Sequence, residues 1–152
     1  LGGAIHHESG DLAGGDRELL EFTADLHLKG DGWNVFAAYV GRTIDAPAAP
    51  DFFDQGVVLQ GGLFVTDDIE PFARYDVLIP DGDRPGDEHL HTITAGLTWY
   101  LHGHAFKCTL DCVHLLDGTT GNDLFARGDP SIGVLADEGE QTALRGQLQV
   151  LF

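Results

Sequence analysis

The sequence predicts an all-β fold: an antiparallel up-and-down transmembrane β-barrel with about eight strands present. Three observations carry that expectation. Apolar and polar residues alternate with a period of two through most of the chain, and helical periodicity is almost absent. Gly, Asp and Pro punctuate the alternation, with Gly alone supplying 21 of the 152 residues. Connections between the alternating segments are short at one end and long at the other.

A weak first strand is read near 2–8. In the second, Leu20, Phe22, Ala24, Leu26 and Leu28 oppose Glu21, Thr23, Asp25, His27 and Lys29. In the third, Trp33, Val35, Ala37 and Tyr39 oppose Asn34, Phe36, Ala38 and Arg42. The fourth sets Val57, Leu59, Gly61, Leu63 and Val65 against Val58, Gln60, Gly62 and Phe64. The fifth sets Pro71, Ala73, Tyr75, Val77 and Ile79 against Glu70, Phe72, Arg74 and Asp76. The sixth has Ile93, Ala95, Leu97, Trp99 and Leu101 on one face and Thr92, Thr94, Gly96, Thr98 and Tyr100 on the other. In the seventh, Phe106, Cys108, Leu110 and Cys112 oppose Lys107, Thr109, Asp111 and Val113. The last has Leu144, Gly146, Leu148, Val150 and Phe152 against Arg145, Gln147 and Gln149. Hairpin turns are expected at 29–32, 66–68 and 102–104, and long connections at 9–18, 45–54, 80–88 and 117–140.

Alternation alone fits two opposite proteins. A soluble barrel turns its apolar face inward, and a membrane barrel turns it outward. Aromatic residues near strand ends on the apolar face favour the membrane: Phe22, Trp33, Tyr39, Trp99, Phe106 and Phe152 match an interfacial girdle. The apolar faces also carry almost no charge. Strands of about ten tilted residues suffice to cross. The polar faces then line an interior, with Glu21, Asp25, Lys29, Arg42, Glu70, Arg74, Asp76, Lys107, Asp111, Arg145, Gln147 and Gln149 as candidate pore-lining residues.

Charge sharpens the picture. The chain has 25 acidic and 8 basic residues, a formal charge of −17. That balance argues against a nucleic-acid partner, which needs a basic face. Yet 43% of residues are hydrophobic and nine are Phe, too many for a disordered polyelectrolyte. The named acids and bases of the polar faces cancel, so the excess falls in the connections, chiefly the long ones. An acidic collar at one mouth is the expected result, with a preference for cations at low salt. The chain has no Met and no charged-then-apolar leader, and it reads as a piece that lacks its own translation start.

Three blocks resemble one family. The stretch T-D-D-I-E-P-F-A-R-Y-D (66–76), the hairpin T-W-Y-L-H-G-H-A-F-K-C-T-L-D-C (98–112) and the terminal L-R-G-Q-L-Q-V-L-F (144–152) are similar to the phosphate-selective porin O and P family of bacterial outer-membrane porins. The resemblance implies an outer-membrane barrel of about sixteen strands, of which this chain is the C-terminal half, assembled as a homotrimer. It implies a water-filled pore for passive diffusion of small hydrophilic solutes and ions. Implied partners are the lipid bilayer, lipopolysaccharide and the barrel assembly machinery, which would read Phe152 as part of its signal. Phosphate selectivity is not carried over, because the long loops here are acidic. The 152 residues form one barrel domain or the C-terminal part of one. The alternatives are a closed eight-stranded outer-membrane barrel with a structural or adhesive role, and a soluble ligand-binding β-barrel.

Other chemistry is weakly supported. Cys108 and Cys112 lie about 13 Å apart along a strand, beyond the ~7 Å reach of a disulfide. His6-His7, His89-x-His91 and His102-x-His104 lack a zinc spacing, so no metal is expected. Residues 81–88 begin like a calcium loop, but Pro85 takes a ligand position. The acidic loops read as solvated hydrophilic loops, with loose divalent binding between them and lipopolysaccharide as the lesser alternative. Ser9 and Ser131 lack a nucleophile context, so no catalytic residue, enzyme activity or cofactor is expected.

Overall fold

Eight strands run up and down in one antiparallel sheet, in the order of the sequence. The computed structural model describes residues 1–12, 15–45, 50–122, 124 and 139–151. The strands are β1 (Gly2–Leu12), β2 (Gly15–Gly30), β3 (Trp33–Asp45), β4 (Phe52–Leu63), β5 (Ile69–Ile79), β6 (Leu90–His104), β7 (Phe106–Leu115) and β8 (Gln141–Val150). No helix occurs among the described residues.

Register converts the eight alternations into two continuous faces. Phe22 pairs with Gly41, Tyr39 with Val57, Tyr75 with Ile93, Leu97 with Leu110 and Cys112 with Leu144. Paired residues point the same way. One face is therefore apolar from β2 to β8, and Cys108 and Cys112, both free, lie on it. The other face collects the polar positions. A one-residue slip anywhere would mix the two.

Turn chemistry fixes that register. Asp31 and Gly32 close the β2–β3 hairpin, where Gly32 supplies φ +76°. Between β4 and β5 the Thr66 hydroxyl accepts from the Ile69 N–H at 3.1 Å. Gly103, at φ +53°, helps turn β6 into β7.

Three boundaries differ from expectation. The connection expected at 9–18 is mostly strand: Ser9 pairs with Glu18, Gly10 with Arg17 and Asp11 with Asp16. Polar side chains hid the pairing, since exposed strand ends need no apolar face. Likewise β3 extends to Asp45 and β4 starts at Phe52, so Asp54 belongs to a strand and not to a loop. The segment 102–104 lies within β6, and the turn centres on Ala105, with a register shift between Tyr100 and His102.

The sheet does not close. β1 pairs only with β2, and β8 only with β7. The architecture present is thus an up-and-down sheet with two open edges.

Candidate functional site: the polar face of the sheet

Burial is inverted relative to a soluble single-layer sheet. On the apolar face Leu59 is 51% exposed, Trp99 50%, Leu110 61% and Leu148 64%. On the polar face Asp54 is 4% exposed, Thr94 4%, Thr98 7% and Glu70 8%. Among the described residues no second layer of regular structure covers that face. Its buried polar groups are covered by neighbouring polar-face side chains and by residues of the connections, Arg84 over Asp54 and Asn34 and Tyr100 over Glu70.

All twelve residues expected to line an interior lie on that face by register. Arg74 and Asp76 pair along β5 at 2.6 Å, and Arg145 meets Asp111 across β7–β8 at 2.7 Å. Lys107 stands over the Tyr100 ring at 5.8 Å. Gln147 and Gln149 face the same way opposite Thr109 and Lys107. Glu21, Asp25 and Lys29 of β2 make no ion pair among the described residues.

Glu70 is held from two strands. Asn34 Nδ2 donates to Oε1 and the Tyr100 hydroxyl donates to Oε2, each at 2.5 Å. Gly62 makes room, because a Cβ there would meet Oε1 at 2.5 Å and Asn34 Nδ2 at 2.9 Å. The spacing of polar positions put Asn34 and Glu70 on one face, but nothing in it pointed to this contact across β4.

The long-connection end is more constructed than the sequence suggested. Arg84, from the β5–β6 connection, donates to both Asp54 oxygens at 2.6 Å, and Arg42 adds a third bond at 3.1 Å. Arg84 also lies 4.2 Å from the Phe52 ring centroid. Asp81 accepts from the backbone N–H groups of Asp83 and Phe53, which hold its carboxyl below the ordinary 3.8. The calcium-like stretch 81–88 therefore spends its first acid on its own backbone. Among the described residues no group of three His, Cys, Asp or Glu could hold a metal.

The next connection locks onto this one. Asn122 Nδ2 donates to the Glu88 carbonyl at 2.7 Å, and the Glu88 N–H donates to the Gly121 carbonyl at 3.1 Å. Asp117 accepts from the His91 N–H at 2.7 Å. Thr119 and Asn122 are 1% exposed. Nearby, Leu78, Leu90, Val113, Leu115 and Ala143 form an apolar cluster on the inner face. Leu124 then lines a cavity of about 480 Å³ together with residues of β1 to β5. The chain after β7 thus reaches across the hollow of the sheet. The polar reading of this face missed that seat. Val113 and Leu78, apolar residues at polar positions, were its signal.

On the outer face, Phe22 lies over Gly41 and 5.9 Å from Tyr39, with Phe53 beside it at 6.4 Å. Tyr39 donates to Gln55, and Tyr75 meets His91 Nδ1 at 2.6 Å. Trp33, Trp99 and Phe106 mark the short-turn end. From Trp99 to His91 the strand rises roughly 26 Å. Phe152 lies outside the described residues. A scan against models of protein families finds none that matches, and searches of curated proteins and of solved structures return no match.

Proposed function

We propose that this chain is the wall of an outer-membrane pore for passive diffusion of small hydrophilic solutes and ions. The inverted burial carries the reading. A continuous apolar face left bare is unfavourable in water and matched to hydrocarbon. Charged side chains paired on the sheltered face suit a wetted interior. Trp33 and Tyr39 stand roughly 20 Å apart along β3, and at a tilt of 35–45° they bracket roughly 15 Å, within the ~25 Å apolar band of such barrels.

In this reading the open edges of β1 and β8 are completed by further strands, as the resemblance to the phosphate-selective porins implies. The same resemblance supports a homotrimer and assembly through Phe152. A closed eight-stranded barrel is less favoured, since it needs β1 to pair with β8. A soluble ligand-binding barrel is disfavoured by exposed Leu, Trp and Val on the face it would have to bury.

No residue performs chemistry in this mechanism. Solutes cross the lumen, the wall charges bias their orientation, and the mouth charges bias which ions arrive. Full-length protein reconstituted in planar bilayers should give stepwise ohmic conductance. Inserted protein that conducts nothing would refute the pore.

A further inference from the structure

The cavity under Leu124 has an unusual lining for a passage of ions. Glu21 on β2 and Arg42 on β3 are register partners that face it together. Arg42 makes no ion pair with Glu21 and bonds Asp54, which Arg84 also holds. Only one hydrogen bond of the Arg42 guanidinium goes to Asp54, and its side chain stays 39% exposed. Among the described residues Glu21 has no ion pair. A carboxylate and a guanidinium with donors to spare therefore stand side by side. Val40, Leu78 and Leu124 provide apolar surface around them.

We infer that this cavity is a transit site for small apolar zwitterions of the α-amino-acid class. The inference rests on the pore reading and names a solute for it. An ammonium group meets Glu21, a carboxylate meets the free edge of Arg42, and an aliphatic side chain meets the three apolar residues. Cross-strand neighbours begin about 5 Å apart at Cβ, so both charges reach one small molecule. Other solutes fit less well. A sugar meets polar residues such as Thr23 but leaves the charges of Glu21 and Arg42 without opposite partners and Val40, Leu78 and Leu124 uncovered. A bare cation satisfies Glu21 but must shed water against Val40, Leu78 and Leu124. A zwitterion also has no net charge, so the acidic mouth does not repel it.

The test is uptake of leucine and of ribose by proteoliposomes carrying full-length protein. Leucine uptake at low concentration should exceed ribose uptake and should saturate. Glu21→Gln should lower the leucine-to-ribose ratio roughly fivefold, the scale of one charge-assisted contact. Non-saturating leucine uptake at the ribose rate, or a ratio unmoved by Glu21→Gln, would overturn the site and leave the pore standing. Equal saturable uptake of isoamylamine, which lacks the carboxylate, would overturn the zwitterion. If inserted protein passes neither solute, the pore reading falls and this inference with it.

Discussion

Glu70 shows what a single residue does on this wall. It is a carboxylate without a cationic partner among the described residues, stabilised by an amide and a phenol. Gly62→Ala would push a methyl into that arrangement. It should cost about 1–3 kcal/mol, the penalty for unmaking buried polar bonds, read as a lower unfolding midpoint in detergent. Glu70→Gln should cost less than Glu70→Ala, because the amide keeps one acceptor and the methyl keeps none. Equal losses would contradict the assigned donors. Asp81 makes a prediction about pH. Its folded pKa is depressed, so its bonds to Asp83 and Phe53 stabilise fully above the ordinary 3.8 and weaken only as pH falls through the lower folded value. Its carboxyl carbon shift should titrate with a midpoint under 3.8, and a midpoint above it would show the N–H donors absent.

At the scale of elements, the strands and the connections at 29–32, 66–68 and 80–88 were legible, and the contacts between connections were not. Period-two alternation located all eight strands and their common faces, because lipid-facing or solvent-facing residues sample a uniform environment on each side. It failed at 9–18, where Asp11, Asp16 and Arg17 sit on exposed strand ends and carry no alternating signal. It failed differently at Asp54, whose acidity and flanking loop residues suggested a connection. Interlocked loops depend on tertiary proximity, and no local pattern encodes the Asn122–Glu88 contact. That latch is itself testable. Asn122→Ala should cost roughly 0.5–1.5 kcal/mol by removing the buried amide's bond to the Glu88 carbonyl. Hydrogen exchange at the Glu88 N–H should quicken in the variant. Unchanged protection would mean that the backbone pairing alone joins the two connections.

For the whole molecule, charge is segregated by position along the strands. On the polar face Arg42, Arg74 and Arg145 pair with acids, while Glu21, Asp25, Lys29 and Glu70 have no ion pair among the described residues. The surplus acids of the described residues cluster at the long-connection end, including Asp11, Asp16 and Glu18 on strand extensions. In the proposed pore this collar should make reversal potentials cation-selective at low salt. The preference should fade near 1 M, where the screening length falls to about 3 Å. Anion selectivity at low salt would show that the wall arginines outweigh the collar.

The two unpaired edges also bear on timing. In hydrocarbon each unsatisfied backbone group costs several kcal/mol, and β1 and β8 each expose a full edge of N–H and C=O groups. In the proposed pore such edges would be too costly to leave open in a bilayer. On that proposal the edges of β1 and β8 find partners before or during insertion, so that entry into the membrane and completion of the wall would be one concerted event.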